Sequence, residues 1–306
     1  MMGAVIEAKE LSKWFGEAVA VNNLNLRIER GVTGLLGPNG AGKSTFMKLA
    51  LGLYEPSRGE IRVFGRPPRN NMRVLQRIGY CPEIDALQED MTGYEFVYWQ
   101  NRHWGMRPRD ARRRAQEVCA QVKMTLRMHD PVSEYSRGMR QRIKIAQALA
   151  MEPELLFLDE PMAGLDPQGR EEMFALIQGL GREGHTVVVS SHVLYEVERV
   201  TRNVILLHNG CMLAYGPIQH IRELIAEHPR TITVECEKPR ALAARFLGDE
   251  GLMSVEFAQK AFTVRTTEVD AFSQKLNNLI LDESAAVAGI HCVDENLQSI
   301  FDYLVT

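Results

Sequence analysis

The chain has 306 residues, 45% hydrophobic and 25% charged, enough for one large globular domain or a large one with a small companion. A formal net charge of -3 carries no global sign of a nucleic-acid binder. Five cysteines, Cys81, Cys119, Cys211, Cys236 and Cys292, stand far apart with no CxxC among them, which argues for reduced structural thiols and against a disulfide framework or a zinc site.

The opening "MMGAVIEAKELSK" has no apolar run before its charges, so no signal peptide is expected there. No window reaches the roughly 18–20 apolar residues of a membrane helix. Residues 5–30 alternate apolar and polar positions around "FGEA", the pattern of a β-hairpin. "VTGLLG" (32–37) is a short apolar strand entering a glycine loop, and "KSTFMKLALGL" continues as a helix. "GEIRVFG" (59–65) and "IGYCPE" (78–83) read as strands. From about 88 to 153 the pattern turns helical and includes "PRDARRRAQEVCAQVK", with Pro at a first helical position. We expect an inserted helical subdomain there, and its basic run "RPRDARRR" (107–114) as a solvated face or a neighbour of lipid headgroups.

"LLFLD" (155–159), a helix near 167–181, "TVVVSS" (186–191), another helix and two strands in "VILLHNGCMLAYG" follow. Apolar β runs alternating with helices indicate a parallel α/β sheet covered on both faces. Composition then shifts, giving expected domains of 1–228 and 229–306. The second reads as βαββαβα, from "TITVEC" to "ENLQSIFDYLV", which suggests a small ferredoxin-like α+β domain. Residues 231–306 hold six Lys/Arg against twelve Asp/Glu, an acidic solvated surface.

"GPNGAGKST" (37–45) fits the phosphate-loop pattern G-x-x-x-x-G-K-[ST] in full, with a strand before it and a helix after it. Gly37, Gly40 and Gly42 permit close approaches and conformations that a side chain would block. The loop N–H groups and the helix N-terminus form a positive concavity for phosphate. Lys43 reaches the β- and γ-phosphates, and the Ser44 hydroxyl is a Mg²⁺ ligand. "LLFLDEP" (155–161) sets Asp159 and Glu160 at the C-terminal end of a buried strand, where ligands of parallel sheets sit. Asp159 suits the Mg²⁺ shell, and Glu160 suits activation of an attacking water. His192 ends "TVVVSSH" at the same sheet edge and is expected to contact a γ-phosphate.

"GPNGAGKST", "YSRGMRQR" (135–142), "LLFLDEP", "AGLD" and "SSH", in this order, resemble the nucleotide-binding subunit of ABC transporters over about residues 5–217. The resemblance implies a phosphate-loop ATPase core with an antiparallel β subdomain and an inserted helical subdomain. It implies ATP and Mg²⁺ as ligands. Nucleotide binding falls to Phe15 on the adenine, with Trp14 as the alternative, to Gly37, Pro38, Asn39, Gly40, Ala41, Gly42, Lys43, Ser44 and Thr45 on the phosphates, and to Asp166 in the D-loop. Metal binding falls to Ser44, Asp159 and Glu83, the last standing where the family usually has Gln. Glu160 and His192 are the implied catalytic pair. "YSRGMRQR" matches the family signature, which caps ATP held by the opposite subunit, so Ser136 and Gly138 would serve a second copy of the chain. Arg137 and Met139 depart from the usual Gly and Gln.

The implied function is an ATP-hydrolysing subunit that powers transport, in the export direction, through a separate transmembrane permease. The implied location is peripheral, on the cytoplasmic face of the inner membrane, with no nucleic acid as partner. The permease is expected to dock beside the Glu83 loop, on a groove supplied by Tyr94, Phe96, Tyr98, Trp99 and Trp104. The alternative is a soluble ABC ATPase acting on nucleic acid or ribosomes. Against it stand a single phosphate loop and no sustained heptads. A GTPase would need an NKxD-type guanine reader, and none is present.

Overall fold

The structure is a computed structural model and describes residues 4–219, 230–282 and 286–292. It divides into two units, Met1–Ile218 and Gln219–Thr306.

In the first unit, β1 (Ile6–Phe15) and β2 (Ala18–Ile28) pair antiparallel around a turn at Gly16, whose φ of +59° suits glycine. With β4 (Arg58–Val63) they form a three-stranded sheet ordered β2-β1-β4. The larger sheet joins β5 (Ile78–Cys81), β6 (Leu155–Leu158), β7 (Thr186–Ser191), β3 (Val32–Leu36), β8 (Asn203–His208) and β9 (Cys211–Pro217) in the order β5-β6-β7-β3-β8-β9. The β5 to β8 neighbours run parallel, and β9 folds back antiparallel on β8 at the edge. All residues of β6 and β7 are buried, as expected of central parallel strands, including the polar Thr186, Ser190 and Ser191 of β7.

Helix α1 (Lys43–Ala50) stops three residues short of the run expected to continue to Leu53, because Gly52 takes φ +67° against the backbone of Arg69. A short helix α2 (Met72–Leu75) precedes β5. The helical insertion consists of α3 (Gly93–His103), α4 (Pro108–Gln121) and α5 (Arg137–Leu149). Thr92 and Glu95 form a reciprocal capping box at the start of α3. A core of Phe96, Val97, Ala115, Val118, Cys119, Ile143 and Ile145 holds these helices together and continues into the sheet through Leu156 and Val187.

The basic run on α4 departs from expectation at Arg114. Its side chain is mostly buried and donates to Leu149 O and Ala150 O, closing the C-terminal carbonyls of α5. One cation of the run is therefore a structural cap. Helices α6 (Pro167–Arg182) and α7 (Leu194–Val200) complete the unit.

In the second unit the described elements run β10 (Arg230–Cys236), a helix Pro239–Ala243, β11 (Leu252–Phe257), β12 (Ala261–Thr266), a helix Val269–Leu281 and β13 (Val287–Cys292). The sheet order is β11-β12-β10-β13, antiparallel throughout. Its core gathers Val234, Phe246, Phe262, Val264, Phe272 and Leu276. The helix expected in "ENLQSIFDYLV" and most of the expected linker lie outside the described residues.

Candidate active site

Parallel register converts three distant sequence segments into one edge. Leu158 of β6 is level with Val189 of β7, and Leu36 of β3 with Ser191. At the strand ends or one step past them, Ser190–His192, Asp159 and the loop beginning at Gly37 therefore leave the sheet together. The glycines of that loop are required sterically. A Cβ on Gly37 would lie 2.3 Å from Leu207 O, and one on Gly42, at φ +101°, would lie 2.3 Å from Ala20 O. Gly40 also sits at positive φ, with open space beside it.

A cavity of about 390 Å³ lies over the loop, lined by Pro38 to Thr45 together with Phe15, Ala20, Glu83 and Glu160. Phe15 stands half exposed at its edge, packed edge-on against Tyr54 at 5.2 Å with Lys13 Nζ over its ring. A flat aromatic with one free face, next to a phosphate loop, has the form of a base-stacking platform. Lys43 Nζ donates to Gly37 O at 2.6 Å and Pro38 O at 3.1 Å and lies 3.1 Å from Glu160 Oε1.

Ser190, which the sequence did not single out, joins the two acids. Its hydroxyl donates to Asp159 Oδ1 at 2.7 Å and accepts the Glu160 N–H at 2.7 Å. Glu160 itself has φ +48°, a conformation few non-glycine residues adopt, and the Ser190 contact helps hold it there. Tyr80 OH approaches Asp159 Oδ2 at 3.4 Å, and its phenol is pushed well above the ordinary range by burial and then by the Asp159 charge. His192 Nδ1 lies 3.0 Å from Glu160 Oε2, with the imidazole half exposed and the carboxylate buried.

Ser136, Gly138 and Asp166 are not part of this cavity. They line a second one of about 400 Å³, with Arg137, Met139, Arg142 and Gly164 among its other walls. Ser136 caps α5, its Oγ accepting the Met139 N–H at 3.3 Å, which leaves the hydroxyl proton free to donate. Asp166 caps α6 through Gly169 N–H at 3.0 Å. No residue lines both cavities.

A third cavity, about 440 Å³, separates the Pro82–Met91 segment from α3 and α5. Of the five aromatics expected to form a groove, Phe96 and Trp99 line it. Tyr94 and Tyr98 instead stack on each other at 6.3 Å and pack against the subdomain core, while Trp104 is the C-cap of α3. Helical spacing explains the split, since positions 96 and 99 share a face that 94 and 98 do not. Lys144 of α5 is buried beside this cavity and donates to Glu83 O at 3.0 Å.

Residues 21–163 match the family model described as ABC transporter. The bacitracin transport ATP-binding protein BcrA of Enterococcus faecalis is 32% identical over 308 residues, covering 100% of this chain and 97% of that protein. The chain belongs to the ABC transporter ATP-binding proteins. The Nod factor export ATP-binding protein I of Cupriavidus pinatubonensis is 34% identical over 70% of the chain and 66% of its own length. Among solved structures, cbiO1 of Clostridium perfringens, part of the ABC transporter complex cbiONQ, superposes with a TM-score of 0.66 at 26% identity, covering 72% of this chain and 92% of that one. An ATP-binding cassette solved as a dimer in a post-hydrolysis state with ADP and Pi has a TM-score of 0.63 at 25% identity, over 70% of this chain and 98% of its own.

The α/β core expected from the sequence is thus that of an ABC ATPase, an ATP-binding and ATP-hydrolysing subunit of a membrane transporter. The nucleic-acid and ribosome alternative is not favoured. ABC ATPases of this kind dimerise and work with transmembrane permease partners. Among the described residues no helix is long and apolar enough to cross a membrane.

Proposed function

We propose that two copies of this ABC ATPase close on two ATP molecules, each phosphate loop completed by the signature turn of the other copy, and that this closure drives export through a separate permease. The observation that carries the reading is the segregation of the two half-sites: the Gly37–Thr45 loop and the Ser136–Gly138 turn line cavities with no residue in common. Gly138 supports it further, because a Cβ there would meet nothing closer than 3.9 Å, so the free chain gives no packing reason for glycine. Export is supported by the relatives named for Nod factor export, and a role in transport by the BcrA similarity, which spans both units.

In the reaction, ATP stacks its base on Phe15 and lays its phosphates on the N–H groups of the loop. Glu160 accepts a proton from water as the water oxygen attacks the γ-phosphorus in line and the bond to the β-γ bridging oxygen breaks, releasing ADP. Lys43 offsets charge growing on the phosphate oxygens, and His192 holds the Glu160 carboxylate while facing the γ-phosphate. The hard oxygen donors Ser44, Asp159 and Glu83 suit Mg²⁺, which keeps several non-protein ligands and would add Lewis-acid charge neutralisation there. Among the described residues no cluster of three or more His, Cys, Asp and Glu forms a competing all-protein metal site.

The permease is read as docking a short cytoplasmic segment into the cavity between Pro82–Met91 and α3. On this reading the chain works peripherally, on the cytoplasmic face of the inner membrane.

Mixing a Lys43→Ala copy with a Ser136→Ala copy tests the two-copy reading. Each variant alone is inactive, while a mixed pair retains one intact composite pocket. An equimolar mixture is expected to recover about a quarter of wild-type turnover, since half the pairs are mixed and each has one working site of two. A mixture no more active than its components, or wild-type turnover per chain that is indifferent to dilution, overturns the proposal.

A further inference from the structure

We propose that Arg137 is a nucleotide-facing cation of the composite site, reading the terminal phosphate held by the other copy and setting the ATP concentration at which the pair closes. This rests on the two-copy reading above and names a residue that the family signature replaces with glycine.

Arg137 is the first residue of α5, between Ser136 and Gly138, and lines their cavity. Its guanidinium is laid across the 163–166 loop: Nη1 is 2.8 Å from where a Cβ of Gly164 would stand, and Gly164 has φ +71°. Only glycine combines that backbone conformation with that approach. The exposed side chain lies at the cavity wall.

The charges around it single it out. Arg142 is committed to Glu172 and to Val122 O. The Asp166 carboxylate accepts Gly169 N–H at the N-terminus of α6, whose dipole end offsets it. Arg137, among the described residues, has neither an ion pair nor a hydrogen-bond partner. Beside it stand the free proton of the Ser136 hydroxyl and the open backbone of Gly138. A hydroxyl donor, bare backbone and an uncompensated guanidinium in one cavity fit an anion with several oxygen acceptors, and a guanidinium matches phosphate oxygens in pairs.

The test uses the full chain with hydrolysis blocked by Glu160→Gln, and reads pairing by sedimentation as Mg-ATP or Mg-ADP is titrated. Arg137→Gln and Arg137→Gly are expected to raise the ATP concentration for half-maximal pairing about tenfold or more, because each closed pair loses two such contacts. Arg137→Lys, which keeps the charge, should stay within about threefold, and pairing by the Gln variant should depend less steeply on salt. A fluorescent ATP analogue bound to the dilute single chain checks that the loss lies in pairing; an equal loss there overturns the assignment. So does unchanged pairing in Arg137→Gln. Loss in Lys as severe as in Gln, with an unchanged salt slope, overturns it too, because the side chain would then act only as a splint on Gly164. If the blocked chain never pairs with ATP, the two-copy reading fails and takes this inference with it. Pairing that forms but ignores Arg137 sinks this inference alone.

Discussion

Lys43 Nζ lies 3.1 Å from Glu160 Oε1 with both side chains more than nine-tenths buried. The ammonium directs its aligned hydrogen bonds to Gly37 O and Pro38 O, and Glu160 Oε1 receives no aligned hydrogen bond. Charge attraction, not hydrogen-bond geometry, therefore holds the pair. On the proposed reading, a triphosphate arriving in the loop would compete for Lys43 and free one carboxylate oxygen for water.

Glu160→Gln keeps the shape of the side chain and removes its basicity. Steady-state ATPase should fall by about 100-fold or more. Nucleotide binding should survive, because the phosphate-loop donors are untouched. Turnover near the wild-type rate would show that Glu160 is not the base.

Ser190→Ala leaves the Glu160 N–H and one Asp159 oxygen without their partner in a buried setting. The expected cost is about 1–3 kcal/mol in denaturant unfolding. A fall in ATPase beyond that explained by unfolding should accompany it, since the strained backbone of Glu160 loses a restraint. Unchanged stability and rate would remove Ser190 from the site.

Two glycine substitutions should behave in opposite ways. Gly138→Ala meets open space in a helix, so unfolding stability should stay level or rise by up to about 1 kcal/mol while ATPase drops. Gly37→Ala drives a Cβ into Leu207 O and should lower stability as well as activity. Thermal melts set beside turnover separate the cases. An active Gly138→Ala protein would argue that nothing docks against that turn.

Cys81 and Cys119 are both pushed up to about 12, chiefly by burial, from an ordinary 9.0. Well below pH 9 both thiols are neutral folded and unfolded, so they leave stability unaffected. As pH rises above 9 the unfolded thiols ionise first, and stability falls progressively toward pH 12. Thiol titration at pH 8 should find both unreactive until denaturant is added, and Cys119→Ala should shallow the alkaline slope. Rapid native modification would contradict their burial.

The fold class and half of the site were legible from the chain alone. Glycine spacing around Lys43, an acid pair ending an apolar strand and alternating runs are linear patterns, because backbone conformation and strand or helix burial impose a period on the sequence. The order of motifs pointed to the ABC transporter family, and full-length similarity to a named ATP-binding protein supports it. Helix ends were less legible: α1 stops where Gly52 meets the backbone of Arg69, a contact with no local signature.

What the tertiary structure alone decided are the relations across the sheet. Ser190 meets Asp159 across 31 residues because parallel register brings neighbouring strand ends level. Arg114 leaves a run that reads as solvated because the open carbonyls of α5 lie within its reach. Arg137 lies across Gly164 while Arg142 is taken by Glu172, a division of labour invisible in "YSRGMRQR". Periodicity records which face of an element is buried. It does not record which charge on another element waits there, and that choice belongs to the packing.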